Sequence, residues 1–159
     1  MQTDEEEQAL LLDLRRRAMD MLARREHARA ELERKLLQRF ADADSSLIGE
    51  ALDQLERDNL LSETRFVESC LRSRMQRGYG PRYIEQYLQQ RGVAGHLVAM
   101  ALEEVDEEDW CRLAEEVLEK KLGSEPRPEP GSRHWQRLQR HLGSRGFTGS
   151  QIGRAFKDG

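Results

Sequence analysis

Apolar residues return every three or four positions through most of this 159-residue chain, and that spacing predicts helices. Leu14, Ala18, Met21 and Leu22 form one stripe, and Phe66, Val67, Cys70, Leu71 and Met75 form a second. Trp110, Leu113, Ala114, Val117 and Leu118 form a third. At 3.6 residues per turn each set lies on one face, so each marks an amphipathic helix. The breaks fall at residues that start or stop helices. In Gly78-Tyr79-Gly80-Pro81, Gly78 closes one helix, Gly80 permits the turn and Pro81 takes the first position of the next. That helix runs to Arg91-Gly92, where glycine suits a left-handed cap. Pro126, Pro128 and Pro130, at alternate positions, exclude helix and predict an extended loop over 124–132.

The pattern repeats. Leu88, Arg91, Gly92, Val93, Gly95, Val98 and Ala101 are answered by Leu142, Arg145, Gly146, Phe147, Gly149, Ile152 and Ala155, each displaced by 54 residues without a gap. A third copy precedes them, in which Leu32, Leu36 and Phe40 lead to Ile48, Ala51 and Leu52, but it lacks the Arg-Gly turn. Each copy contains three short helices with a thin core, marginal alone and dependent on its neighbour. The expected architecture is therefore all-α, an elongated, curved tandem array of three three-helix repeats. The repeats span 14–60, 61–106 and 107–159, after an acidic N-terminal extension over 1–13 and with the Pro-rich loop inside the third.

Composition supports thin layers over one large core, with 37% hydrophobic and 35% charged residues. The net charge of −4 argues against a simple nucleic-acid binder, yet the charge is unevenly placed. Residues 65–92 and 133–157 are rich in arginine, whereas Asp4–Glu7 and 103–109 are acidic. Such blocks suit an extended electrostatic contact surface, or equally a set of solvated helix faces. Cys70 and Cys111 fall on apolar helical positions without CxxC spacing, which fits buried thiols in a reducing cytosol better than a disulfide framework. The acidic start and the lack of a long apolar run predict a cytoplasmic protein with no membrane segment.

No catalytic constellation emerges. His27, His96, His134 and His141 lack metal-ligand spacing with either cysteine, so neither metal nor cofactor is expected. The glycines around Tyr79 have neither the spacing nor the preceding strand of a phosphate-binding loop. Tyr79, Tyr83 and Tyr87 recur every four residues beside a basic run. They read first as the edge of the core, and second as a platform for stacking on bases. Arg74 falls toward the apolar side of its helix and is expected to snorkel or to pair with an acid. Candidate contact residues are Arg72, Arg77, Tyr79, Arg82 and Arg91 around the GYGP turn, with a second basic surface at Arg133, Arg137, Arg140 and Arg145.

The stretch from Asp58 to Val93 joins Ser62-Glu63-Thr64-Arg65-Phe66 to Arg72-Ser73-Arg74, then GYGP, Ile84, Leu88 and Arg91-Gly92. In this it resembles the RecX family of bacterial regulators of the RecA recombinase, with supporting matches at Leu22–His27, Asp109–Cys111 and Arg145–Phe147. The resemblance implies a non-enzymatic monomer that binds the groove of the RecA filament on single-stranded DNA. It would restrain recombinase and co-protease activity, and single-stranded DNA itself is a possible weak contact. The alternative is direct DNA binding by one unit used as a helix-turn-helix, which the basic middle copy invites.

Overall fold

In a computed structural model, which describes residues 3–157, the helical periodicity becomes nine α-helices. In chain order they are α1 (Asp4–Arg24), α2 (Arg29–Arg39), α3 (Ser45–Arg57), α4 (Glu63–Gln76), α5 (Pro81–Gln90) and α6 (Gly95–Glu103). They are followed by α7 (Glu107–Leu122), α8 (Arg133–Ser144) and α9 (Gly149–Lys157). No strand occurs among the described residues. The acidic run near the N-terminus is the first turn of α1. Thr3 Oγ1 accepts from Glu6 N and the Glu6 carboxylate accepts from Thr3 N, each at 3.2 Å, a reciprocal cap. Four acids in that turn complement the positive end of the helix dipole. Met1 and Gln2 of the expected extension, and Asp158 and Gly159 of the third repeat, lie outside the described residues.

Packing gathers the chain into two compact units. One contains the residues up to Ser69 together with Gln90–Ala94; the other contains Cys70–Gln89 and the chain from Gly95 onward. The first unit buries Leu14, Ala18, Leu32, Leu36, Ile48, Ala51, Leu52 and Leu55 completely. Each large aliphatic side chain there contributes about 1.5–3 kcal/mol relative to exposure.

Beside that core sits a charged network. Glu31 is buried, and Arg25 grips its carboxylate with two nitrogens at 3.1 and 2.9 Å. His27 is also buried, its Nδ1 3.1 Å from the Arg25 carbonyl and its Nε2 3.2 Å from Lys35 Nζ. An ammonium can only donate, so Nε2 accepts and Nδ1 carries the proton of a neutral ring. Burial, joined by the charges of Arg25 and Lys35, holds the His27 imidazole below its ordinary 6.5. Burial works to raise the Glu31 carboxyl, but the Arg25 hydrogen bonds and neighbouring cations outweigh it and hold it below its ordinary 4.5.

Both shifts have the same sign for stability. The unfolded His27 takes up protons that the folded ring resists, so stability falls as pH drops below 6.5. The Glu31 contribution is complete above 4.5 and is lost as pH falls through the folded value. The urea midpoint of the chain should therefore decline on acidification. His27→Gln should flatten the upper part of the decline and Glu31→Gln the lower part; an unchanged slope in both variants would contradict these assignments.

The second unit packs α8 and α9 on α7 around Ala114, Leu118, Leu122, Leu138, Leu142, Phe147, Ala155 and Phe156. Gly123, with φ at +64°, ends α7, and the Pro-rich loop follows. Within that loop Arg127 reaches back to the Ala155 and Phe156 carbonyls, at 2.9 and 3.4 Å, at the end of α9. Trp135 closes the same region against Phe156, with ring centroids 4.1 Å apart. Cys70 and Cys111 are buried, as the apolar spacing predicts. None of the described helices is long and apolar enough to cross a membrane.

Candidate interaction site

The GYGP turn owes its form to a second turn, Arg145-Gly146-Phe147, against which it packs inside the second unit. Gly80 N donates to the Arg145 carbonyl at 2.7 Å, and Arg82 N donates to the Gly146 carbonyl at 2.9 Å. Arg145 answers with its guanidinium, whose Nε donates to the Gly78 carbonyl at 3.2 Å while a terminal nitrogen donates to the Arg77 carbonyl. Backbone approach this close leaves no room for side chains. A Cβ on Gly80 would lie 2.7 Å from Gly146 backbone atoms, and one on Gly146 would lie 2.4 Å from Tyr83 N. Gly146 is also held at φ +98°, which only glycine adopts without strain.

The three tyrosines stack along this contact. Tyr79 and Tyr83 have centroids 3.9 Å apart, Tyr83 and Tyr87 6.5 Å, each pair inclined by 16°. Arg145 lies over the Tyr79 ring at 3.9 Å and Arg74 over the Tyr87 ring at 4.3 Å. The result is a five-membered ladder, guanidinium at both ends and three half-buried rings between, in which each cation meets a negative ring face. A guanidinium thus covers one face of each terminal ring, and all three rings are half-buried. Among the described residues Arg74 has no carboxylate within ion-pairing distance, the alternative that its sequence position left open; the Tyr87 ring takes that place.

A similar device occurs in the first unit. Gly92, at φ +80°, would place a Cβ 2.7 Å from the Ala30 Cβ at the start of α2, and Arg91 Nε lies 3.8 Å from the buried Glu31 carboxylate. Each Arg-Gly turn thus seats on the beginning of an earlier second helix: α2 for Arg91-Gly92, α5 for Arg145-Gly146.

The candidate residues consequently fall into two kinds. Arg145, Tyr79 and Arg91 are half-buried and engaged within the protein. Arg72, Arg77 and Arg82 are exposed on the second unit, at the end of α4 and the start of α5. Arg133, Arg137 and Arg140 are exposed on α8 at i, i+4 and i+7, a single face opposite the buried Leu138 and Leu142. Sequence reasoning missed the pairing of Arg74 with Tyr87, although its place toward the apolar side was the signal for it. Among the described residues no cluster of His, Cys, Asp or Glu has a metal-binding arrangement.

Comparison with known proteins places these features in context. A family model described as the second three-helix domain of RecX matches residues 62–102, and one for the third three-helix domain of RecX matches 107–156. The regulatory protein RecX of Pseudomonas entomophila is 46% identical over 141 residues, covering 89% of this chain and 88% of the relative. That of Ectopseudomonas mendocina is 40% identical over 146 residues, 92% and 94% of the two chains. The crystal structure of RecX from Lactobacillus salivarius superposes with a TM-score of 0.80 over 93% of this chain and 95% of that one, at 21% identity, a likeness of fold.

Proposed function

Because the chain belongs to the RecX family of regulatory proteins, we propose that it docks on the RecA filament assembled on single-stranded DNA and restrains its recombinase and co-protease activities. It does so as a binding protein and not as an enzyme. Family membership carries the reading, and one geometric observation supports it. Arg72, Arg77 and Arg82 have exposed side chains around a turn that Arg145 ties down through the Gly78 carbonyl. A rigid turn loses little freedom on binding, and planar guanidinium groups suit the carboxylates or phosphates of a nucleoprotein surface.

The decisive experiment adds the protein to RecA on single-stranded DNA and follows ATP hydrolysis and filament length. Inhibition that saturates with added protein is expected; no effect at large excess refutes the reading. The double substitution R72A/R82A should weaken the effect by about tenfold or more, while leaving the thermal midpoint unchanged because both side chains are exposed. Unchanged inhibition by that variant would remove the basic turn from the interface. Salt-sensitive duplex binding with clear sequence preference and no need for RecA would instead favour direct DNA recognition, for which α8 offers its exposed arginine face.

A further inference from the structure

A second feature of the same unit is a cleft of about 570 Å³ between the end of α4, one face of α7 and the end of α8. Its floor is aliphatic, formed by Leu113 and Val117 one turn apart on α7. Around it stand cations from separate elements: Arg77 beyond α4, Lys120 and Lys121 in the last turn of α7, and Arg145 at the end of α8, with the His141 imidazole beside them. Glu116 is the single acid of the lining. Among the described residues neither Arg77 nor Lys120 nor Lys121 has a carboxylate within ion-pairing distance, and all three are exposed. Burial, and then the positive charges of Lys121 and Arg145, hold the His141 imidazole below its ordinary range. The cleft therefore concentrates positive charge that the protein itself does not neutralise.

Two of the chain's four lysines lie here, side by side in a chain that otherwise favours arginine. They also complement the negative end of the α7 dipole. That role alone does not account for Arg77 and His141 converging on the same space from other elements. The volume falls within the ~300–1,000 Å³ of sites that enclose a short ligand.

We propose that this cleft is a docking site for an acidic peptide segment of a protein partner, in which carboxylates flank one aliphatic side chain. The aliphatic group rests on Leu113 and Val117, and the carboxylates meet Arg77, Lys120 and Lys121. A nucleic-acid strand fits less well. Single-strand sites combine a basic track with aromatic rings that stack on bases. No aromatic residue lines this cleft, and the nearby Tyr79 ring is covered by Arg145. The inference rests on the filament-docking reading in one respect, that the segment belongs to a protein partner.

The test uses the full chain and a short fluorescein-labelled peptide of aspartate and glutamate around a single leucine, read by anisotropy. Saturable binding is expected, weakened about tenfold by K120E/K121E and less by K120Q/K121Q, with an unchanged circular dichroism spectrum. Replacing the peptide's leucine with serine should also weaken it. Absence of saturable binding, or equal affinity of the lysine variants, overturns the proposal. So does tighter binding of an oligothymidylate of equal charge through the same lysines, which reassigns the cleft to nucleic acid. The RecA assay, run alongside, separates the two readings: inhibition without peptide binding refutes the cleft assignment alone, and peptide binding without inhibition refutes filament docking alone.

Discussion

Gly146→Ala is expected to destabilise the second unit by about 3–5 kcal/mol, because Gly146 combines a left-handed φ with the nearest obstructing backbone of the described glycines. Two costs combine. At φ +98° an alanine is strained, by roughly 1–3 kcal/mol for a side chain forced into that region. The added methyl would also lie 2.4 Å from Tyr83 N and 2.5 Å from Tyr83 Cβ. Those atoms belong to a helix backbone and cannot swing aside, so the two turns must separate, an overpacking cost of about 1–3 kcal/mol. Separation breaks the hydrogen bonds that the Gly80 and Arg82 amides donate to Arg145 and Gly146 and unstacks the tyrosines, so the near-ultraviolet circular dichroism should weaken. Gly143→Ala is the control. It lies inside α8, its Cβ would meet nothing within 4 Å, and it should stabilise by about 0.5–1 kcal/mol. Equal urea midpoints for the two variants would show that the turns do not interlock.

Arg145→Ala should cost about 2–3 kcal/mol, because it removes the charged donor to two backbone carbonyls and the cation over Tyr79. The half-exposed position sets the ceiling, since water can reach the abandoned carbonyls in part. Arg145→Lys should recover less than half of the loss. An ammonium is a point donor that can neither fork across two carbonyls nor lie flat on a ring. A double-mutant cycle with Tyr79→Leu isolates the ring contact, for which a coupling of about 0.5–2 kcal/mol is expected. Coupling indistinguishable from zero would mean that the stacking is incidental and that the carbonyl bonds hold the turn by themselves.

These two variants also bear on function. If Arg72, Arg77 and Arg82 act from a turn held by Arg145, loosening the turn should weaken filament inhibition even though Arg145 itself need not touch the filament. A structural effect of this kind would track stability, whereas R72A/R82A should lower inhibition at unchanged stability. The pair of outcomes distinguishes a residue that presents the surface from residues that form it.

Much of this molecule is legible in one dimension. The stripe containing Leu14 and Ala18 does become the buried face of α1, and Ile84 and Leu88 are buried on α5. Pro81 opens α5, which ends at Gln90 beside the left-handed Gly92. These follow from local rules, since helix periodicity, proline at a first turn and glycine at a left-handed cap depend on neighbours within a few residues. The internal repeat is legible for the same reason, being a comparison of the chain with itself.

The contact between turns is not. From the sequence, Gly146 is the equivalent of Gly92, a second helix cap, and Arg145 reads as one more basic surface residue. Their real partners, Tyr83 and Gly78, lie more than sixty positions upstream. Nothing in the local pattern names them, because close approach of two backbones depends on the fold of the intervening chain. The same holds for the cleft, whose cations come from three separate elements and become neighbours only by packing. The sequence alone determined the helices, their buried faces, the threefold repetition and, by resemblance, the family. Only the tertiary structure decided which arginines are spent on holding the protein together and which stay exposed at its surface. The first set of properties arises from interactions along one helix, the second from contacts between residues distant in the chain.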